Sequence, residues 1–190
     1  MTDLLDPGPP LTAAGERLLA AATELFYRRG IRAVGVDLIA EVAGTTKKTL
    51  YDRFGSKDDL VALYLRRRAR RWQVFLEAGL DGVPAGPGRA LAVFDVLESW
   101  LADQDRGCAF VNAHAEIGGS DHPGVPVIRE EKRWMRDRIV ALVREAGVAD
   151  ADGVGRQVHQ LYEGAAVLVT AAGQDDAVGH ARDAAARLLS

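Results

Sequence analysis

The chain has 190 residues, 48 % of them hydrophobic, and a formal net charge of −3, which together predict a globular protein of one large or two small domains. It has no apolar run near the roughly 20 residues that span a bilayer, and its opening MTDLLDPGPPL does not resemble a secretory signal, so we predict a cytoplasmic protein with no membrane partner. Because Cys108 is the only cysteine, the composition excludes an intrachain disulfide and the zinc sites that need several thiolates.

The first predicted helix follows a proline-rich arm. Three prolines predict a disordered segment over residues 1–11, and Thr12 is a suitable N-cap for the helix after it. Apolar residues recur at helical spacing along one face of this helix, at Leu18, Ala22, Leu25 and Phe26. Gly30 follows a basic last turn and is the predicted C-cap.

Two short helices are predicted next, separated by a tight turn. The first runs from about residue 36 to 42 and ends before Gly44. The second is capped by Thr46, and Leu50 and Phe54, four residues apart, form its inner side. The polar side chains between them therefore point away from this inner side.

The rest of the chain also has helical periodicity. A longer helix is predicted to begin near Lys57, after the N-cap residue Ser56. The predicted helices of this part are 58–78, 88–103, 108–118, 125–146, 152–173 and 175–189. Because the sequence has no convincing alternating strand pattern or hairpin signal, we predict an all-α fold of about nine helices.

Basic residues are concentrated in the first part of the chain. Residues 1–72 contain 13 Lys/Arg and 9 Asp/Glu, a net charge of +4, whereas residues 73–190 contain 11 and 18, a net charge of −7. Binding to a polyanion depends on local basic surface rather than on total charge. The distribution therefore indicates a polyanion contact in the first part, with a chance imbalance of a few charges as the alternative.

The two short helices and their glycine-containing turn form the helix-turn-helix pattern of DNA-binding proteins. The major groove of B-DNA admits one helix, whose amino-terminal half reaches base edges while flanking donors bind phosphates. Lysine can donate to guanine, threonine offers a hydroxyl and a methyl group, and a tyrosine hydroxyl can bind a phosphate. The predicted DNA contacts are Val36, Thr45, Thr46, Lys47, Lys48, Thr49, Tyr51 and Lys57.

The segment GIRAVGVDLIAEVAGTTKKTLYDRFGSKDDL, residues 30–60, resembles the DNA-binding region of the TetR/AcrR family of transcriptional repressors. The resemblance covers roughly residues 12–65. Its distinctive parts are the phenylalanine before Gly30, the Ile39-Ala40 pair, the Ala43-Gly44 turn, Thr49-Leu50-Tyr51, Phe54, and Ser56-Lys57 followed by Leu60.

Two positions depart from the common pattern of that family. Many members begin the second helix with a Thr or Ser that caps it and contacts a phosphate, but this chain has Val34 and Gly35 there. Gly35 can still cap the helix and let the backbone approach DNA. Lys48 replaces a small residue, so we expect an operator preference unlike that of members with glycine there.

The resemblance implies two domains and a homodimer. Residues 12–57 would form a three-helix DNA-binding domain, with the helix-turn-helix motif at about 35–54, and residues 58–190 a helical effector-binding and dimerisation domain. The last two helices, whose faces are apolar and rich in small residues, would pair with their copies, so that the dimer binds a palindromic double-stranded operator. A small hydrophobic effector would release this repressor, and the candidate pocket residues are Trp100, Phe110, His114, Trp134, His159 and Tyr162.

Several residues have an alternative interpretation. The aromatic residues of the predicted effector-binding domain, residues 58–190, can be core residues instead of pocket residues. His114 can be held by a neighbouring carbonyl or acid. Cys108 suits a small core position better than a redox sensor. The arginine run at 66–71 suits a mostly solvated surface, or pairing with the acidic part of the chain, better than a DNA clamp. We predict no enzyme activity, cofactor or metal site, since no phosphate loop or Cys/His or Ser/His set is found and His114 and His122 make a weak metal pair. The remaining alternative to an effector-controlled repressor is a DNA-binding regulator of the same fold that no effector controls.

Overall fold

The computed structural model describes residue 6, residues 8–104 and residues 106–190. Residues 1–5 and 7 of the predicted disordered arm lie outside these described residues. Within the described ranges the chain forms nine helices and no strand, as the periodicity predicted. In chain order the helices are α1 (Ala13–Arg29), α2 (Val36–Val42), α3 (Lys47–Phe54), α4 (Lys57–Leu80), α5 (Pro87–Leu101), α6 (Ala109–Ile117), α7 (Gly124–Glu145), α8 (Ala151–Ala172) and α9 (Ala177–Leu188).

The ends of the first helices are fixed by the caps that the sequence predicted. The Thr12 hydroxyl accepts a hydrogen bond from the Gly15 N–H group at the start of α1. Helix α1 ends at Gly30, whose φ of +89° disfavours any other residue. At the start of α3, the Thr46 hydroxyl accepts a hydrogen bond from the Thr49 N–H group. These contacts confirm the predicted caps of both helices.

The chain divides into two compact units, each described by itself. The first unit contains the chain up to Arg71 together with Ala109–Glu131, and the second contains Trp72–Cys108 together with Lys132–Ser190. Helices α4 and α7 each contribute to both units, and α6 belongs to the first. These units differ from the predicted functional division after residue 57, because part of α4 and all of α6 group with the first three helices.

The first unit has a core supplied mainly by the predicted inner faces of its helices. Helices α1, α2 and α3 pack on one another. Burying each large aliphatic side chain contributes about 1.5–3 kcal/mol, so this core is enough to hold short helices that would be marginal alone. Its fully buried residues include Leu18, Ala22, Val34, Ile39, Leu50, Leu60, Val61 and Leu65.

The second unit is built around an aromatic cluster. The ring of Trp72 lies 5.2 Å from that of Trp100 and 6.4 Å from that of Tyr162, between ring centroids. Tyr162 also lies 6.3 Å from Phe94, which is fully buried. Aromatic pairs at these distances stabilise a core beyond their buried area. Trp100 and Tyr162 were predicted as site residues from the sequence, whereas Trp72, which joins them, was not.

The apolar residues of α8 and α9 belong to two different faces. Val158, Ala165, Val178, Ala181 and Ala185 are buried in the core of the second unit. A separate stripe of α8 faces solvent, and Val167 and Leu168 in it are 44 % and 41 % exposed. Small residues on several sides of these helices leave their helical periodicity without one clear face, so the sequence alone does not separate the core side from the exposed stripe. The exposed stripe of α8 consists of Gly164, Val167, Leu168, Ala171 and Ala172.

Candidate nucleic-acid interface

The turn between α2 and α3 has a tightly defined backbone. Gly44 has a φ of +60°, in the left-handed region that favours glycine. The N–H group of Gly44 donates to the carbonyl of Glu41 at 3.0 Å, and that of Thr45 donates to the carbonyl of Ala40 at 2.9 Å. These bonds close the end of α2, so only four residues separate the two helices, as in a helix-turn-helix.

Helix α3 has one buried side and one exposed side. Leu50 is fully buried and Phe54 is half-buried, which confirms the predicted inner side. On the opposite side, Tyr51 remains 42 % exposed. The outer face of α3 is the set Thr46, Lys47, Lys48, Thr49 and Tyr51, of which only Thr49 is half-buried. Four predicted contacts therefore lie together on one short helix, and a fifth, Thr46, is its N-cap.

The remaining predicted contacts differ in exposure from the outer face of α3. Thr45 is half-buried in the turn, and Val36 is half-buried at the first residue of α2. Gly35 is the N-cap of α2, and no side chain caps that helix, as expected from the lack of a hydroxyl at this position. A Cβ atom at Gly35 would have no atom within 4 Å, so its backbone is open to the approach of another molecule.

The two lysines of the outer face are paired with nearby carboxylates. Lys47 Nζ lies 3.2 Å from Asp37 Oδ2 on α2, and Lys48 Nζ lies 2.6 Å from Asp52 Oδ2 one turn along α3. The Lys48 side chain is 83 % exposed. Exposed pairs of this kind contribute about 0–1 kcal/mol, so a phosphate or a base edge can replace the carboxylate at low cost.

Lys57 is engaged inside the first unit. Its ammonium group donates to the carbonyl of Ile31 at 2.6 Å and lies 6.0 Å from the ring centroid of Phe26. Burial lowers the pKa of Lys57, and the nearby charges of Asp58 and Glu116 oppose this effect without cancelling it. Lys57 therefore fixes a turn of the protein in this structure, and its predicted phosphate contact would use another of its three ammonium N–H donors.

Two side chains outside the helix-turn-helix bind backbone groups of its turn and of the segment before it. Arg17 Nε, on α1, donates to the carbonyl of Ala43 in the α2–α3 turn at 3.2 Å. Glu116, on α6, accepts hydrogen bonds from the N–H groups of Ile31 and Arg32 at 2.9 and 2.7 Å. Neither residue was predicted from the sequence. Arg17 has no distinctive sequence signal, whereas Glu116 is the one acid of the otherwise mostly apolar α6.

The arginine run at 66–71 is partnered within the first unit. Arg67 lies 3.7 Å from Glu16 on α1, and the guanidinium group of Arg68 lies 4.6 Å from the ring centroid of Tyr27. The predicted pairing role is therefore supported for Arg67, but its acid comes from α1 and not from the acidic part of the chain. Helix α1 supplies these partners because it shares a compact unit with the first half of α4.

The six predicted effector-pocket residues are divided between the two units. Phe110 and His114 belong to the first unit, and Trp100, Trp134, His159 and Tyr162 belong to the second. Phe110 is buried, but His114 is exposed. Helix α6 buries only the face of Ala109, Phe110, Ala113 and Ile117, and His114 lies outside that face.

A polar group lies inside the second unit. Lys132 Nζ donates to both carboxylate oxygens of Glu163 at 2.8 and 2.9 Å and lies 3.7 Å from Cys108 Sγ. His159 Nε2 lies 3.3 Å from the same carboxylate. Burial would raise the pKa of Glu163, but the nearby His159 and Lys132 side chains together outweigh it, so that pKa is lowered. Of these residues, the sequence analysis predicted only His159 as a site residue.

Two further predictions concern metals and membranes. His122 lies 3.4 Å from Asp58 in the first unit. Within residues 6, 8–104 and 106–190, no three His, Cys, Asp or Glu side chains are grouped closely enough to hold a metal ion. None of the helices in the described part of the chain has the length and hydropathy needed to cross a membrane.

Comparisons with known proteins agree with the geometry of the first unit. The family of bacterial regulatory proteins described as the tetR family matches residues 18–64. The crystal structure of SCO4454, a TetR-family transcriptional regulator from Streptomyces coelicolor, is 32 % identical in sequence and has a TM-score of 0.86. The match covers 94 % of this chain and 91 % of that one.

Two other proteins are similar to this chain, one in its fold and one in its sequence. The regulatory protein TetR from Rhodobacter sphaeroides, at 23 % identity and a TM-score of 0.78, covers 93 % of this chain and 99 % of its own and shares the fold. The HTH-type transcriptional activator FasR from Mycolicibacterium smegmatis is 30 % identical over 138 residues, which are 73 % of this chain and 55 % of that protein. The chain therefore spans about half the length of that relative.

Proposed function

Since this chain belongs to the TetR family of bacterial regulatory proteins, we propose that it is a sequence-specific DNA-binding transcriptional regulator. Residues 12–57 bind the operator, and residues 58–190 bind an effector and form the dimer. The observation that supports this proposal most directly is the outer face of α3, where two lysines, two threonines and a tyrosine lie on a helix anchored by Leu50. A helix of this size and polarity fits the major groove.

The division of labour on α3 follows from the position of each side chain. Lys47 and Lys48 occupy the first turn, which in a docked recognition helix reaches the base edges, and lysine donates to guanine N7 and O6. Tyr51 lies one turn further along, where its hydroxyl can donate to a phosphate. Val36 and Thr45 complete the surface with apolar and hydroxyl contacts. Phosphate contacts set the orientation of the helix, and base contacts set the sequence.

A homodimer supplies the second recognition helix. The exposed stripe of α8, with Val167 and Leu168 near its centre, presents apolar surface that a second copy would bury. Small residues within the stripe let two helices approach closely, and a Cβ atom at Gly164 would have no atom within 4 Å. Two α3 helices related by a two-fold axis would then read a palindromic operator.

We further propose that a small hydrophobic effector releases the regulator from its operator. The aromatic residues of the second unit, Trp100 and Tyr162 among them, offer apolar contacts, and the Lys132–Glu163–His159 group offers a polar anchor. The effector needs only to prefer the conformation that does not bind DNA. A difference of about 1–3 kcal/mol between the two conformations gives roughly 5–150-fold coupling.

Activation is the second candidate function. It is favoured by the name of the relative FasR, a transcriptional activator that is 30 % identical to this chain. A reporter gene placed behind the bound operator distinguishes the two. Deleting the protein raises expression if it is a repressor and lowers expression if it is an activator.

Fluorescence anisotropy with operator and random-sequence DNA tests the proposed use of α3. Lys47→Ala and Lys48→Ala should each weaken operator binding by about 1–3 kcal/mol, since each removes a direct contact. Arg70→Ala is the matched control, because it removes an exposed positive charge from α4 and should leave operator affinity nearly unchanged. Equal losses on operator and random DNA would make the lysine a phosphate contact. Unchanged affinity in both lysine variants would contradict the proposal.

A further inference from the structure

We propose that Glu116 is a positioning residue for DNA binding, which sets the start of α2 by holding the turn between α1 and α2. This inference rests on the proposed function of α2 and α3. It goes beyond that proposal because Glu116 lies on α6, outside residues 12–57 and beyond residue 64, where the match to the family ends.

The first step is the geometry of the carboxylate. Glu116 Oε1 accepts from the N–H group of Ile31 at 2.9 Å, and Oε2 accepts from the N–H group of Arg32 at 2.7 Å. Each oxygen thus has its own backbone donor, and the two donors belong to consecutive residues. An ionised carboxylate is an acceptor at both oxygens, so it satisfies this pair of N–H groups fully.

The second step is the fit of the turn around the carboxylate. Gly30 ends α1 with a φ of +89°, and a Cβ atom at this position would lie 3.0 Å from Glu116 Oε1 and 3.2 Å from Oε2. Glycine is therefore favoured here for its backbone conformation and also for the space that the carboxylate occupies. On the other side of the turn, Lys57 donates to the carbonyl of Ile31 at 2.6 Å.

The turn that Glu116 binds leads directly into the helix-turn-helix. Only Ala33, Val34 and Gly35 separate the bound residues from the first residue of α2. The side chains of Ile31 and Val34 are buried, so the turn cannot move without disturbing the core. A fixed turn therefore fixes the start of α2 and, through the short α2–α3 turn, the orientation of α3.

Glu116→Gln is the decisive variant. Glutamine keeps the size of the side chain but has one acceptor oxygen and one NH2 group, so one backbone N–H group would face a donor. Asp121→Asn is the matched control, since it removes one exposed negative charge from the same unit, in the segment that follows α6. Glu116→Ala removes both acceptors and completes the series.

Two measurements test the proposal. Amide hydrogen exchange by NMR should show protection of Ile31 and Arg32 falling about tenfold or more in Glu116→Gln and further in Glu116→Ala, with the α1 amides of Leu18 and Ala22 unchanged. Operator affinity should fall about tenfold in Glu116→Gln, and Asp121→Asn should match the wild type in both measurements. A merely stabilising role would lower protection uniformly across α1, α2 and α3.

The possible outcomes distinguish a failure of the Glu116 proposal from a failure of the proposed DNA-binding function. Unchanged protection of Ile31 and Arg32 in Glu116→Ala overturns the proposal that Glu116 holds the turn between α1 and α2. Lost protection with unchanged operator affinity overturns the positioning role. A uniform loss of protection across the first unit overturns it as well. Wild-type protein that selects no DNA sequence overturns the proposed function and, with it, the role of Glu116 in DNA binding.

Discussion

The outer face of α3 and the polar group of the second unit hold their lysines in opposite ways. Lys48 is 83 % exposed and shares one contact with Asp52, whereas Lys132 is 28 % exposed and donates to both oxygens of Glu163. The exposed pair is screened by water and exchanges easily, and the half-buried pair is held by its neighbours. From this difference we expect that the exposure of an ion pair, more than its distance, separates a lysine available for binding from one used for stability.

The largest expected effect is on folding stability, from loss of the half-buried pair of Lys132 and Glu163. Glu163→Gln should lower the free energy of unfolding by about 1–3 kcal/mol at pH 7, because it removes a carboxylate that accepts charge-assisted hydrogen bonds from Lys132. Urea denaturation of wild type and variant measures this difference. Glu98→Gln, an exposed acid on α5, is the control and should change stability little.

The same variant has an expected pH dependence. Because the pKa of Glu163 is lowered in the folded protein, its contribution is fully present above the ordinary value of 4.5 and is lost as the pH falls through the folded value. The stability difference between wild type and Glu163→Gln should therefore shrink in acid. A constant difference between pH 7 and pH 3 would contradict the lowered pKa.

A smaller effect is expected at Tyr51 on the exposed side. Tyr51→Phe removes one hydroxyl from a side chain that is 42 % exposed, so folding stability should not change. Binding to operator and random DNA should weaken equally, by about 1 kcal/mol, since a phosphate contact has no sequence preference. Anisotropy titrations with both DNAs measure this loss. Unchanged affinity for both would remove Tyr51 from the interface.

The smallest expected effect on stability is that of Asp52→Asn, which tests whether an exposed ion pair contributes little to folding. Asp52→Asn breaks the exposed pair with Lys48, and stability should change by less than about 0.5 kcal/mol. Affinity for DNA should rise slightly on operator and random DNA alike, because a negative charge near the phosphates is removed. Thermal melting and anisotropy measure the two quantities. A stability loss as large as that of Glu163→Gln would show that exposure does not separate the two kinds of pair.

The sequence was a good guide where the structure depends on neighbouring residues. The caps at Thr12 and Thr46, the stop at Gly30 and the inner side at Leu50 all follow from spacings of a few residues. The candidate DNA contacts are equally local, since five of the eight lie on one helix of eight residues or at its N-cap. A pattern read along the chain contains this information.

The sequence was a poor guide where a contact joins distant residues. Glu116 binds backbone N–H groups 84 and 85 positions earlier in the chain, and any backbone N–H group offers the same chemistry, so no motif marks its partners. The core side and the solvent side of α8 could not be separated either, because alanine, glycine and valine on several sides of the helix suit both a core and an exposed stripe. Such contacts depend on packing, which periodicity does not specify.

Selection from a random-sequence DNA library by wild-type protein and by the double variant Lys47→Ala/Lys48→Ala tests the central claim most directly. The outer face of α3 predicts that the wild type enriches a two-fold symmetric sequence. The double variant should lose that enrichment or change the preferred bases at the symmetric positions of both half-sites. Enrichment of the same sequence to the same degree by both proteins would contradict the assignment of α3 as the DNA-reading helix.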